Sequence, residues 1–344
     1  MPRNHEVTAK RPLLKEDGSL REPGWSRQLC QIYDRKQIKA PAWRIKEWDY
    51  YLVMNSHFAA AFTISDNGYF GMQSVSFLSF DDEPWEHTES ILNVLPMGRM
   101  KLPSDSRYGI TKFQNKRLKL GFKANPDKQE RRIRCKYENF LNGETLKCDI
   151  RLSQPPMDTM VIATPWAEKK TAFYYNQKIN CMRAEGMLSI GDKKYIFKPE
   201  DSFATLDWGR GVWTYDNRWF WSSGNGIVEG KPFGFNLGYG FGDTSAATEN
   251  MLFYDGIGHK LDDVSFQIPE KSYMEPWIIT SSDRRFEMTF TPVLDRAACI
   301  DLKIIGSNQH QVFGRMNGQA VLDNGRILKI KDFMCFAEDV HNRY

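Results

Sequence analysis

Two charged residues in a tryptophan-rich stretch are the strongest candidates for chemistry. Asp207 and Arg210 lie three positions apart within LDWGRGVWTYDNRWFWSSGNG, residues 206–226. Desolvation in a partly apolar pocket raises the pKa of a carboxyl group, and a nearby guanidinium lowers it again. We therefore predict that Asp207 serves as a general acid or base and that Arg210 positions or tunes it. The alternative is an Asp–Arg ion pair that only stabilises a turn between domains.

The same stretch holds four of the chain's ten tryptophans: Trp208, Trp213, Trp219 and Trp221. Tryptophan at this density either fills a core or an interface between β domains, or it stacks on an apolar ligand or a sugar. Trp219 and Trp221 share one face of a regular strand, whereas Trp208 and Trp213 are separated by an odd number of residues. We predict that all four shape a substrate pocket, two by lining it and two as part of the core.

Two further carboxylates lie in the segment PAWRIKEWDYYLV, residues 41–53. Glu47 and Asp49 share one face if the strand is regular, and Trp48 lies between them. We predict that these three residues bind substrate, although charges on a solvated strand face would give the same pattern. In the loop LPMGRMKLPSDSRYG, Arg99 is predicted to contact an anionic group of the ligand.

The segment FGFNLGYGFG places aromatic residues on one strand face and glycines on the other. Tyr239 belongs to the aromatic face and Asn236 to the glycine face. Glycines inside a strand indicate strong bending or the close approach of another part of the molecule. We predict that Tyr239 and Asn236 contact the substrate. The GxGxG pattern does not indicate a dinucleotide loop, because no helix follows it.

Composition and charge are those of an ordinary globular protein. The 344 residues are 41% apolar and 26% charged, and 47 basic against 43 acidic residues give a net charge of +4. Because the basic residues alternate with apolar ones, the sequence does not predict nucleic-acid binding. The N-terminus has no signal-peptide core and the longest apolar stretch is too short for a bilayer, so we expect a cytoplasmic protein without a membrane span.

Cofactor and metal motifs are missing from the sequence. There is no P-loop, GxSxG or HExxH, and the six histidines and six cysteines lack metal-ligand spacing. We therefore expect no metal, free thiols and chemistry without a cofactor. The oligomeric state is not predicted by any pattern.

Apolar residues repeat with a period of two in both halves of the chain, as in Leu118, Leu120 and Phe122. Asn142-Gly143 supplies the two positive-φ residues of a type I′ hairpin turn. The sequence predicts an all-β protein of two consecutive antiparallel barrel or sandwich domains, with short helices only at residues 81–95 and 165–178. The expected organisation is an N-terminal arm that crosses between domains (1–25), a first β domain (26–198) and a second β domain (199–344).

Three segments carry a resemblance to a known family: KEWDYYLV, LPMGRMKLPSDS and DWGRGVWTYDNRWFWSSGNG. Through them the chain resembles the family called domain of unknown function 2804. More distantly it is similar to proteins with two consecutive lipocalin-like barrels, among them the carotenoid 1,2-hydratases and the fungal lipocalin-like Diels–Alderases. That resemblance implies two lipocalin-like domains, a cavity for an apolar ligand and catalysis without a cofactor. It assigns no catalytic residue.

Three functions follow as hypotheses. The first is a cofactor-independent hydratase, lyase, isomerase or cyclase that acts on an apolar small molecule in a tryptophan-lined pocket. The second is a carrier that binds lipid or pigment without chemistry. The third is a carbohydrate-active protein, which requires the carboxyl groups of Glu47, Asp49 and Asp207 to lie within about 5–9 Å of one another across an open groove.

Overall fold

The chain folds into two curled antiparallel β-sheets that pack against each other. The computed structural model describes residues 4–301 and 306–343. No α-helix occurs within these residues, which contain three 3₁₀ turns, Arg35–Gln37, Ala42–Arg44 and Pro126–Lys128. Each sheet forms a half-barrel around its own core, so the predicted all-β, double lipocalin-like fold is confirmed.

The first sheet has 13 strands, in the order β7-β6-β5-β4-β15-β13-β11-β10-β9-β8, with β12 and β14 paired to β13 and β2 paired to β12. The predicted turn at Asn142-Gly143 has φ angles of 51° and 85° and joins β10 to β11. Two further short strands, β1 and β3, pair in parallel as a separate two-stranded sheet. The strands are β1 (Arg11–Pro12), β2 (Gly24–Ser26), β3 (Gln31–Ile32), β4 (Lys46–Met54), β5 (Phe58–Asp66), β6 (Phe70–Ser79), β7 (Trp85–Val94), β8 (Gly109–Gln114), β9 (Leu118–Asn125), β10 (Glu130–Leu141), β11 (Glu144–Ser153), β12 (Met160–Trp166), β13 (Lys169–Ile190), β14 (Lys193–Phe197) and β15 (Phe203–Val212).

The second sheet has nine strands, in the order β19-β18-β17-β16-β24-β23-β22-β21-β20. Its core is rich in aromatic residues, and Phe233, Phe235 and Leu237 all enter it from one face of β17, as the alternation predicts. The strands are β16 (Asp216–Val228), β17 (Lys231–Tyr239), β18 (Met251–Tyr254), β19 (Ile257–Lys260), β20 (Val264–Gln267), β21 (Trp277–Ser281), β22 (Phe286–Asp301), β23 (Gly306–Val321) and β24 (Ile327–Arg343).

Two segments predicted as helices are strands instead. Residues 81–95 contain β7, and residues 165–178 contain the end of β12 and the first half of β13. In β13, Phe173 and Tyr175 enter the core of the first sheet while Tyr174 packs on the opposite side. A strand buried on both faces loses the period-two pattern, so the sequence of β13 does not show that it is a strand.

The N-terminal arm contacts both sheets. Its strand β2 pairs with β12 of the first sheet, and the backbone N–H of His5 donates to the carbonyl of Ala246 near the second sheet at 2.9 Å. The domain boundary predicted after residue 198 stays a prediction. Strand β15, the first strand after that residue, hydrogen-bonds within the first sheet. All six cysteines are free, and none of the described segments is a helix able to cross a membrane.

Candidate functional site between the two sheets

The two sheets meet along a contact that we call the seam. It is built mainly by β4, β12, β13 and β15 of the first sheet and by β16, β17, β18 and β24 of the second. On these strands, alternate side chains enter the core of their own sheet, on its inner face, while the others enter the seam. One apolar cluster of the seam contains Leu52 and Phe336, and another contains Ile162 and Met251. Trp48 packs against both clusters, and polar side chains gather around it.

Asp207 lies on the seam face of β15 and is held by three donors. Trp48 Nε1 donates to Oδ2 at 3.0 Å, and Asn176 Nδ2 donates to Oδ1. Lys178 Nζ lies 2.9 Å from Oδ1, and the side chains of Lys178 and Asp207 are only 4% and 11% exposed. Asp207 and Lys178 therefore form an ion pair that is almost removed from water, where charge interactions are strong.

Lys178 connects this ion pair to the second sheet. Its Nζ lies 3.8 Å from the centre of the Trp221 ring, a cation–π contact. Trp221 Nε1 in turn donates to Asn236 Oδ1 at 2.7 Å, and Asn236 Nδ2 donates to the carbonyl of Glu249 at 2.8 Å. A chain of polar contacts thus runs from β15 across the seam.

Two further carboxyl groups complete the site. Trp219 Nε1 and Gln311 Nε2 donate to Glu338 at 3.1 and 3.0 Å, but burial dominates and raises the pKa of Glu338 to about 7. Burial also raises the pKa of Glu249, and Asp207 adds to that effect while Lys178 opposes it. We call Asp207, Glu249, Glu338 and Lys178 the seam acid cluster. It combines the Asp207–Lys178 ion pair with two buried carboxyl groups whose pKa values are raised and which also feel the charge of Lys178.

Aromatic rings separate the seam acid cluster from solvent. The ring of Trp48 stacks on Tyr174, with 6.1 Å between ring centres, and meets the edge of Trp213 at 5.3 Å. Phe241 lies 5.2 Å from both Trp213 and Trp219. Trp48, Trp219 and Phe241 are partly exposed, so they form the edge of the seam. A substrate that reaches Asp207 from this side must displace these rings.

Three glycines allow the close packing of the seam. A Cβ atom on Gly209 would lie 1.9 Å from Cζ2 of Trp48, so the indole rests directly on the glycine. On β17, a Cβ on Gly238 would lie 2.5 Å from Oε1 of Glu249, and one on Gly234 would lie 2.7 Å from Sγ of Cys181. The glycine face of β17 therefore meets another part of the molecule closely, as its sequence predicted.

Arg210 does not belong to the seam. Residues three apart on a regular strand point to opposite faces, so Arg210 enters the core of the first sheet while Asp207 faces the second sheet. There its Nη2 lies 3.0 Å from Asp49 Oδ1 and donates to the carbonyl of Pro103 at 2.7 Å. The expected contact between Asp207 and Arg210 is not formed, and Lys178 takes that place.

Glu47 and Asp49 share one strand face, as predicted, but it is the inner face of the first sheet. Tyr33 OH donates to Glu47 at 2.8 Å, and Arg35 lies 2.6 Å from it. Trp208 lies on the same inner face, and the Arg210 guanidinium is in a cation–π contact with it, 4.2 Å from the ring centre. The groove with Glu47, Asp49 and Asp207, which the carbohydrate hypothesis requires, is therefore not present.

The last two predicted residues lie elsewhere. Tyr239 is on the inner face of the second sheet, where its ring stacks on Phe220 at 4.7 Å. Arg99 donates to the carbonyls of Leu95 and Pro96 in its own loop. Of the twelve predicted site residues, the structure brings together Asp207, Trp48, Trp213, Trp219, Trp221 and Asn236, and it separates from them Arg210, Trp208, Glu47, Asp49, Tyr239 and Arg99.

Three residues of the seam acid cluster were missed by sequence reasoning. Lys178 follows the polar residues Asn176 and Gln177 in a segment that the sequence predicted as a helix, so no strand pattern marks it. Glu338 follows Met334 and Phe336 with a period of two, and that period indicates a buried position. A carboxylate at a buried strand position is unusual, so the sequence does contain a signal for this residue. Glu249 lies outside the strands, where no pattern points to it.

The fold and the seam define a double lipocalin-like protein. The chain belongs to the family described as domain of unknown function (DUF2804), which matches residues 4–344. No curated protein matches it in sequence. Across the described residues, no group of three His, Cys, Asp or Glu side chains is arranged to hold a metal ion.

Solved structures share the fold at low sequence identity. Kievitone hydratase from Nectria haematococca is similar at 11% identity and a TM-score of 0.56, covering 97% of this chain and 98% of that one. CghA is similar at 8% identity and a TM-score of 0.51, covering 87% and 88%. A protein assigned as AttH from Nitrosomonas europaea is similar at 11% identity and a TM-score of 0.52, covering 91% and 98%.

Proposed function

We propose that the protein is a cofactor-independent enzyme of the hydratase, lyase, isomerase or cyclase class that acts on an apolar small molecule at the seam. One observation carries this proposal: behind an edge of aromatic rings, Asp207 is paired with the buried Lys178, and the buried carboxyl groups of Glu249 and Glu338, which feel the same lysine, have raised pKa values. Carboxyl groups with raised pKa values that share a site are typical of acid–base catalysis. A hydratase has the same fold, which is consistent with this reaction class.

The members of the seam acid cluster have different proposed roles. Glu338 retains its proton near neutral pH and is the proton donor. Asp207, paired with Lys178, is the carboxylate that accepts a proton from the substrate or from water. In a hydration, one group would supply H⁺ to a double bond while the other activates the water that attacks the adjacent carbon. The indoles of Trp48, Trp219 and Trp221 would stabilise positive charge that develops on an apolar substrate.

The test begins with native mass spectrometry of the purified protein, followed by solvent extraction of any retained compound. That compound, and a panel of conjugated apolar alkenes and enones, is then incubated with the protein in D₂O. An enzyme of the proposed class incorporates deuterium or adds water, and the mass of the compound changes.

Three variants make the test specific to the seam. Asp207→Asn and Glu338→Gln should retain binding and lose the mass change. Asp149→Asn, which alters an exposed carboxylate paired with Arg132, is the matched control and should behave as the wild type. Turnover that is unchanged in Asp207→Asn contradicts the assignment.

The carrier hypothesis gives a different outcome in the same experiment. A carrier returns its ligand chemically unaltered from D₂O, and Asp207→Asn then changes nothing but affinity.

A cytoplasmic location and a small-molecule rather than nucleic-acid partner also remain predictions from the sequence. Fractionation of the cells that make the protein tests the predicted location.

A further inference from the structure

The second sheet carries a histidine–aspartate pair on its inner face, which is the face opposite to the seam. His310 on β23 follows the same alternation as Val312, which lies in the core of that sheet. Its Nδ1 lies 2.7 Å from Oδ2 of Asp295 on β22, and the two side chains are 21% and 19% exposed. The imidazole also stacks on the ring of Tyr273, with 3.9 Å between centres and 14° between planes. The orientation of His310 is therefore fixed on two sides.

This pair differs from the other histidine–carboxylate pairs of the molecule. His57 with Asp81 and His341 with Asp216 are each about half exposed. The carboxylates next to His5, His87 and His259 are shared with arginines: Glu22 with Arg11, Glu89 with Arg117 and Asp323 with Arg285.

Among the described residues, the Asp295 carboxylate has one hydrogen-bond partner, His310. Its other oxygen, Oδ1, is buried and has no hydrogen-bond partner among the described residues. A carboxylate at Nδ1 holds the proton on that nitrogen and leaves the lone pair on Nε2. Nε2 has no partner in the part of the chain that the structure describes, so His310 is arranged as a base whose reactive nitrogen is unoccupied.

The surroundings of His310 combine aromatic rings with a cation. Tyr273 OH donates to Asp339 Oδ2 at 2.9 Å, and Arg218 donates to both oxygens of Asp339 at 2.9 and 2.6 Å. The guanidinium lies 5.0 Å from the ring centre of Phe220 and its side chain is 57% exposed. Phe220, Tyr239 and Tyr273 are all partly exposed. Aromatic faces and a partly exposed guanidinium, paired with Asp339, thus lie at the same end of the second sheet.

We propose that this end of the second sheet is a ligand site separate from the seam, and that it takes a phenol. The phenol gives its proton to Nε2 of His310: the O–H bond breaks as the N–H bond forms, and the oxygen keeps the electron pair. The phenolate faces the Arg218 guanidinium, and its ring lies against the partly exposed aromatic rings. None of these residues has a role in the function proposed for the seam.

The test uses 4-nitrophenol, whose phenolate form absorbs visible light. Titration of the wild-type protein at constant pH should give saturable binding with an increase in phenolate absorbance. Loss of a hydrogen bond to a charged partner weakens binding by about tenfold or more, which is the effect expected for His310→Gln. The control His57→Gln, which removes an exposed histidine from a similar pair, should bind as the wild type does.

A second measurement needs no variant of the site. Diethyl pyrocarbonate should modify His310 in the wild-type protein, and 4-nitrophenol should protect it, as read by mass spectrometry of the peptides. Asp207→Asn should leave the binding unchanged, which separates this site from the seam. The proposal is overturned by a wild type that binds no 4-nitrophenol saturably, by unchanged affinity in a folded His310→Gln, or by a modification rate that the phenol does not alter.

Discussion

The inner face of the first sheet and the seam both bury charged side chains, but they balance the charges differently. On the inner face Arg210 faces Asp49 and Arg35 faces Glu47, so each carboxylate has its own guanidinium. In the seam, Lys178 is paired with Asp207, whereas Glu249 and Glu338 form no ion pair among the described residues. The matched pairs connect neighbouring strands, whereas burial raises the pKa of Glu338 to about 7 and also raises that of Glu249, so these groups are suited to proton transfer.

The difference has an energetic side. A buried ion pair with complete hydrogen bonding is tolerated, and it becomes strongly unfavourable only when one partner is removed. An excess of buried carboxyl groups is unfavourable from the start, because the protein must either keep the protons or bury charge. Proteins retain such unfavourable arrangements mainly where function requires them. We therefore expect a structural role for the inner face of the first sheet and a functional one for the seam, and the following changes should separate the two.

The largest effect is expected for Asp207→Asn. If Asp207 transfers protons, turnover should fall by about 10²- to 10⁴-fold, as is typical for the loss of a general acid or base. The variant also leaves Lys178 without its counter-ion, so its stability should fall as well. The double variant Asp207→Asn with Lys178→Met removes both charges and should recover stability without recovering turnover. Recovery of both would show that Asp207 has only a structural role.

Arg210→Met should act on stability instead. It leaves Asp49 buried without its partner and several backbone carbonyls without a donor, so the free energy of unfolding should fall by about 3–5 kcal/mol. Chemical denaturation measures this, and Asp49→Asn added to Arg210→Met should restore part of the loss. Turnover per folded molecule should not change. A selective loss of turnover in a folded variant would instead support the catalytic role that the sequence predicted for Arg210.

Glu338 should make stability depend on pH. Its pKa is raised from an ordinary value of 4.5 to about 7, so between these pH values the folded protein holds a proton that the unfolded chain has lost. Stability therefore falls as pH rises through this range, by about 3 kcal/mol in total, because each unit of pKa shift corresponds to about 1.4 kcal/mol.

Unfolding measured at several pH values between 4 and 8 gives the size of this effect. Glu338→Gln should flatten the dependence, and Glu185→Gln, at an exposed ion pair with Arg151, should preserve it. An identical pH dependence in Glu338→Gln and the wild type would show that Glu338 is charged in the folded protein.

The sequence predicted the fold well because the outer strands alternate clearly, and it predicted the site only in part. Asp207 was recognised from its tryptophan neighbours. Arg210 is three positions from Asp207, and on a strand that spacing places the two side chains on opposite faces. The prediction that they share a site neglected this. Lys178 lies on a strand buried on both faces, where no alternation remains. Glu338, and Asn236 through Trp221, come near Lys178 only because the second sheet packs on the first, and no local pattern predicts that packing.

The smallest effect is expected for Gly209→Ala, which tests how Trp48 is positioned. The added methyl group would overlap the indole, so the ring must move and its hydrogen bond to Asp207 is lost; overpacking of this kind lowers stability by about 1–3 kcal/mol. Gly121→Ala is the matched control on the outer side of the first sheet, where the nearest atom lies 3.9 Å away and stability should be unchanged or slightly higher. Thermal unfolding and tryptophan fluorescence measure both variants. Because Arg210 and Asp49 lie on the opposite face of the sheet, a Gly209→Ala variant that loses turnover while the Arg210 variant keeps it would assign the chemistry to the seam.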